Sequence, residues 1–325
     1  MNVVPTAGIG IEAMNSTVSN APSGDPPIPA LIYIYNALTF LGFFSLLALL
    51  ITAWTVSSIH RSVTWYAFLL SWVAFCIANA LLLGHQFDSN PEFDLCLTQA
   101  ALIYAVPALT AYSSLAMTLQ LSLSVAALLK DGSNLQGRII YLLLTLPPGI
   151  AAIVLIEALI YGLERTDSVA RSGSGMICRI TDGIPLKVTA VLVILAMLAT
   201  IIVEAFTFGT LYRSWAAFRK LKRSQLQKSG VSLFTIIRLS IFSLLPMLAL
   251  GLSVQASFQT DDNSLVDAHI YIVTEALPLA AGLIFATHKD ILEVWTSWCR
   301  KKKLPCEQKE VKHRMQGQYT SPEIV

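Results

Sequence analysis

Leu95-Cys96-Leu97-Thr98-Gln99-Ala100-Ala101-Leu102-Ile103-Tyr104 opens a run that continues to Leu129 without an Asp, Glu, Lys or Arg. A bilayer core is crossed by about 20 apolar residues in helical form, so this run alone is long enough to span. Two more charge-free runs precede it, between Pro26 and Ile59 and between Ser62 and Phe87. Four follow, Ile139 to Tyr161, Val188 to Tyr212, Leu233 to Phe258 and His269 to Thr287, with one ionisable residue apiece: Glu157, Glu204, Arg238 and Glu275. Open strands cannot satisfy their backbone in lipid. The expected fold is therefore an all-α membrane protein, a bundle of seven transmembrane helices over about 30–56, 63–84, 95–129, 139–161, 185–212, 233–258 and 269–287.

Composition agrees. The chain is 55% hydrophobic and 13% charged, too little charge for a soluble domain of this size. With a net charge of +2, the location of the charges matters more than their sum, and no nucleic-acid partner is implied. If the N-terminus is outside, seventeen of the 22 Lys and Arg fall on cytoplasmic segments. Four basic residues, Arg165, Arg171, Arg179 and Lys187, lie in or just after one outer loop, while Asp88, Glu92, Asp94, Asp261, Asp262 and Asp267 also lie outside. The positive-inside rule then puts the C-terminal tail in the cytosol.

The first 30 residues hold no Lys or Arg and no apolar stretch of signal-peptide length, so the first span is expected to act as its own insertion signal. Pro5, Pro22, Pro26, Pro27 and Pro29 among Gly and Ser predict a disordered extracellular segment over 1–29. Asn15-Ser16-Thr17 on that segment is a glycosylation sequon. Of five cysteines, Cys76 lies within the second helix and Cys299 and Cys306 in the tail. Only Cys96 and Cys178 can meet in an oxidising space; a bridge would pin the longest outer loop across the mouth of the bundle, and the alternative is two unpaired thiols.

This layout is that of G-protein-coupled receptors. The residues 95–104 quoted above, with Ile284-Phe285-Ala286-Thr287-His288-Lys289-Asp290-Ile291 followed by Trp295 and Trp298, resemble the orphan receptor-like proteins of mushroom-forming fungi. The resemblance implies a plasma-membrane receptor that senses an extracellular small molecule, lipid or peptide and signals to a heterotrimeric G protein. The chain departs from the rhodopsin-like pattern: the third run ends Leu128-Leu129-Lys130 without an acidic-arginine-aromatic triplet, the second has no Asp, and the seventh has Leu277-Pro278-Leu279. The seventh run also lacks any Lys between His269 and Thr287, so a retinal Schiff base cannot form there.

Intramembrane charges are functional candidates because each is costly in lipid unless paired or hydrated. Glu275 lies six residues below His269, about 9 Å at the helical rise. With Tyr271 and Thr274 on one wall and Gln99, Tyr104 and Thr98 on another, it outlines an outer ligand cavity of the apolar kind with few polar groups; structural bonding to a neighbouring helix is the competing role for Glu275. Glu157, near the rim of a peripheral helix, is read as structural. Glu204 and Arg238 lie at matching depths in the inner halves of the fifth and sixth helices, as a switch latch or a static ion pair.

The inner segment with Arg219, Lys220, Lys222 and Arg223 suits either a G protein or anionic lipid. Residues 288–303 read as an interfacial eighth helix, with Cys299 placed for palmitoylation, and 304–325 as a cytosolic tail. Prolines interrupt four of the helices, at Pro107, Pro147 with Pro148, Pro246 and Pro278. An enzyme is not expected. The five histidines are scattered, with no ligand cluster for a metal, and Gly173-Ser174-Gly175 reads as linker with no strand before it. No cofactor is implied. A small-solute transporter is the rival reading, against which stand the odd helix number and the lack of evident inverted repeats; a non-signalling scaffold is a further one.

Overall fold

The computed structural model describes residues 29–56, 61–87, 92–129, 137–213, 264–288 and 290–297. Six helices among them are long and apolar enough to cross a membrane: α1 (Pro29–Thr55), α2 (Val63–Ala80), α3 (Phe93–Leu129), α4 (Gly137–Glu164), α5 (Ile184–Arg213) and α6 (Ser264–Ala286). The run Leu233 to Phe258 lies outside the described residues, so α6 is the helix of the seventh run. A further helical stretch covers residues 290–297, inside the span expected for the interfacial helix.

The expected boundaries shift by one to five residues at most ends. The second helix ends four residues early, at Ala80, and continues as turns over residues 81–87. Gly84, at φ +90°, sits in that turn, in a backbone region that side chains disfavour. Ser62 caps the other end of α2, accepting a hydrogen bond from the Trp65 amide. Pro107, Pro147 with Pro148, and Pro278 all lie inside helices that continue through them.

α3 is the hub, packing against α2, α4 and α5, while α1 packs against α2 and α6. The α1–α6 seam is close because small residues face it. A Cβ on Gly42 would stand 2.9 Å from the Pro278 Cβ, and one on Gly282 would collide with the Ser45 hydroxyl. Without a strong hydrophobic drive between helices in lipid, such close backbone approach is what holds them. Away from the seams, Phe40, Phe44 and Ile51 on α1, Ile153, Ile156 and Ile160 on α4, and Leu195, Ile202 and Phe206 on α5 are exposed. So broad an apolar surface suits lipid and not water, and the chain is a multi-pass membrane protein.

One non-helical element was not anticipated. Residues 164–184, expected as loop, contain a 3₁₀ turn and an antiparallel hairpin, β1 (Val169–Arg171) with β2 (Cys178–Ile180), paired Val169 to Ile180 and Arg171 to Cys178. The hairpin packs on α3. Its end of the bundle is called the hairpin end below, and the other the Arg61 end.

Candidate ligand site at the hairpin end

The hairpin is fixed to α3 at three levels. Cys96, three residues into α3, is disulfide-bonded to Cys178, with Cα atoms 5.3 Å apart. The Gln99 Oε1 accepts from the Cys178 amide at 3.0 Å. The Tyr104 hydroxyl accepts from the Ile180 amide at 3.1 Å and lies 3.3 Å from the Ile180 carbonyl, to which it donates. Alternation along a strand explains the selection: Cys178 and Ile180 point to the same side and are buried, while Arg179 between them is half-buried. Gln99 and Tyr104 therefore have their polar atoms committed to the hairpin backbone, and the Gln99 amide also donates to the Ala78 carbonyl of α2 at 3.5 Å.

The connection between the strands folds inward. Ser172 donates its amide to the Ile177 carbonyl and Gly175 to the Ser172 carbonyl, both at 2.8 Å. Gly175 takes φ +75°, which turns the chain so that the next two residues enter the bundle. Met176 is 1% exposed and Ile177 3%. They pack with Ile32 and Tyr35 of α1, Ala268 and Tyr271 of α6, and Ile103 of α3. Gly173 alone in this tip is exposed.

Beneath the tip lies a polar layer. Ile32, Tyr35 and Thr39 follow one another at spacings of three and four along α1, as do Ala268, Tyr271 and Glu275 along α6. Such spacing keeps each set on one helix face, so Thr39 and Glu275 sit one turn deeper than the tyrosines, about 6 Å at the helical rise. The two helices meet there: Thr39 Oγ1 donates to Glu275 Oε2 at 2.8 Å, with Glu275 1% exposed. Tyr35 donates to Asn79 Oδ1 of α2 at 3.1 Å, and Asn79 in turn donates to the Phe75 carbonyl at 3.0 Å. Nearer the rim, Asn36 and Gln86 exchange amide hydrogen bonds at 2.7 and 3.1 Å. Arg171 of β1 donates to the Gln86 carbonyl at 3.0 Å. Hydroxyls and amides thus link α1, α2, α3, α6 and the hairpin in one half of the bundle.

Among the described residues, the two walls drawn from sequence bond to different elements. Glu275 turns to α1, and Gln99 and Tyr104 turn to α2 and the hairpin. Tyr271 reaches the tip cluster, Thr274 donates to the Ile270 carbonyl of its own helix, and Thr98 is exposed and bonds to the Asp94 carbonyl. Thr39, Tyr35, Asn36, Asn79, Gln86, Met176 and Ile177 were not singled out in the sequence. The available signal was Asn36 and Asn79, amides inside charge-free runs, where a polar group must find an internal partner.

The remaining candidates divide. Glu157 is half-buried on the exposed face of α4, and its buried Oε2 has no hydrogen-bond partner among the described residues. Glu204 is half-buried on α5. Arg238, Asn15, Cys299 and the basic set Arg219, Lys220, Lys222 and Arg223 lie outside the described residues. At the Arg61 end, Arg61 lies 2.9 Å from Nδ1 of His288 and 3.3 Å from Asp290, with its guanidinium over the Trp65 ring. Trp295 donates its indole N–H to the Thr52 hydroxyl at 3.0 Å. The Ile284–Trp295 segment therefore docks onto α1 and the α1–α2 connection. No group of three or more His, Cys, Asp or Glu among the described residues could hold a metal ion.

No protein-family model matches this sequence, and no curated protein matches it.

Proposed function

We propose that this chain is a seven-helix receptor of the G-protein-coupled type, with its N-terminus and hairpin end outside the plasma membrane and its tail in the cytosol. A small molecule, lipid or peptide acts from the hairpin end, and the cytoplasmic face passes the signal to a heterotrimeric G protein. The observation that carries this reading is the disulfide-pinned hairpin seated on α3, at the same end as the buried Thr39–Glu275 pair. A structural disulfide belongs to an oxidising compartment, so the hairpin end faces outward. That orientation agrees with the charge distribution, which puts the basic segments on the opposite side. The resemblance of residues 95–104 and 284–291 to fungal orphan receptor-like proteins supports the same class.

Coupling in cells is the decisive test: the wild-type chain, expressed with reporter G proteins and challenged with a ligand panel, should give ligand-dependent nucleotide exchange. Substrate flux in proteoliposomes, insensitive to guanine nucleotides, would instead establish the transporter reading. Orientation has its own test in Asn15, which should carry a glycan removable by a glycosidase; a sequon engineered into the tail and glycosylated instead would reverse the topology.

A further inference from the structure

Among the described residues, the space above the Thr39–Glu275 pair is already filled. Met176 and Ile177 are buried to within a few per cent of their surface, clustered with seven residues of three helices, and the Thr39–Glu275 pair lies one turn beneath the two tyrosines of that cluster. The filling belongs to the chain itself, on a connection of six residues between Arg171 and Cys178. It is held from the side by Gln99 and Tyr104 and covalently by Cys96. A loop that merely crossed the mouth would leave its apolar residues in water and would need no acceptors from α3. This one puts its exposed glycine outward and its two large apolar side chains inward.

From this we infer that the hairpin tip is a tethered occupant of the ligand site: a molecule arriving from the aqueous side reaches Thr39 and Glu275 only when Met176 and Ile177 leave their nest. The hydrogen bonds from Gln99 and Tyr104 set how often that happens. The nest left by the tip is apolar, walled by Ile32, Ile103 and Ala268 with the two tyrosine rings, and the polar pair is at its floor. Burial on leaving water favours the seated tip, and the hairpin's α3 bonds must open locally before it can swing out. The inference rests on the proposed outward orientation for its biological sense, but the seating itself does not depend on signalling.

The test is thiol labelling of the full-length chain on intact cells with a membrane-impermeant maleimide, with the parent chain as background. Gly173→Cys should label rapidly. Met176→Cys and Ile177→Cys, three and four residues on, should label at least about tenfold more slowly, because reaction waits for local opening. Adding Gln99→Ala with Tyr104→Phe should raise the Met176→Cys rate at least about threefold, since the hydrogen-bonded part of the opening cost is then removed and only the burial of the tip remains. If that background does not reach the surface, Gln99→Ala alone, which deletes the acceptor for the Cys178 amide, should still raise the rate.

Equal labelling of Gly173→Cys and Met176→Cys in the parent background would overturn the inference. So would a Met176→Cys rate unmoved by loss of the α3 bonds. If Gly173→Cys labels only after permeabilisation, the orientation has failed; the ratio of the two rates in permeabilised membranes then still decides whether the tip is seated.

Discussion

Tyr104→Phe removes one oxygen and leaves two partners stranded. In the native chain that hydroxyl accepts from the Ile180 amide and donates to the Ile180 carbonyl, and Ile180 is 3% exposed. Phenylalanine fills the same space, so no cavity term enters. The loss is that of an amide and a carbonyl buried without partners, at about 1–3 kcal/mol for a group left unsatisfied. Taking about 2 kcal/mol for the pair, and a factor of ten for each 1.4 kcal/mol, the local opening equilibrium of β2 should rise about 30-fold. Hydrogen exchange of the purified chain, followed by mass spectrometry on the peptide containing residues 169–181, measures this directly. Exchange at Ile180 should accelerate by that factor, while amides in the middle of α4, which do not touch the hairpin's bonds, keep their rates. Exchange at Ile180 within twofold of wild type would refute the claim that this hydroxyl clamps the strand.

Thr39→Val deletes the donor to the buried Glu275 carboxyl while keeping shape, and should cost about 1–3 kcal/mol in denaturant or thermal unfolding, whereas Thr39→Ser should stay near wild type; equal loss in both would point to packing instead. Asn36 and Gln86 exchange two hydrogen bonds, so a double-mutant cycle to Ala at both should give a coupling of about 1 kcal/mol, and additive effects would show that the amide pair contributes nothing. Gly282→Ala should destabilise the α1–α6 seam by about 1–3 kcal/mol through its collision with Ser45, and Ser45→Gly in the same chain should recover part of that in a thermal-shift assay. Replacing Cys96 and Cys178 together by Ala should lower the melting temperature and speed exchange across residues 169–181, because the bridge closes a loop over a separation of 82 residues.

The membrane class and the individual spans were legible because lipid imposes a blunt rule on length and charge. Run ends followed from the first Asp, Lys or Arg, and six helices appear where those runs lie. The Cys96–Cys178 bridge was legible from count and the expected topology, on which no other pair of cysteines shares an oxidising space. The hairpin was not. Val169-Ala170-Arg171 and Cys178-Arg179-Ile180 are too short for alternation to rise above chance, and what holds β2 is a pair of side chains on α3, 76 and 79 positions away in sequence. Reading Gly173-Ser174-Gly175 as linker was half right: Gly173 faces water, but Gly175 makes the turn that drives Met176 and Ile177 into the bundle.

The miss with most consequence concerns α1 and α2, which a search for ionisable groups passes over as plain scaffold. In lipid the cost of a polar atom depends on its partner more than on its formal charge, so an amide or hydroxyl in an apolar run carries information of the same kind as a carboxylate. Tyr35, Asn36 and Thr39 on α1 and Asn79 on α2 each reach across to another element, and Thr39 supplies the hydroxyl to which Glu275 turns. Glu275 is thereby bonded to α1. Gln99 and Tyr104 of α3 bond the hairpin backbone, and Met176 and Ile177 pack among α1, α3 and α6. A perturbation that loosens β2 should be felt at Thr39 and Glu275 one turn below, through the tip and not through any direct bond.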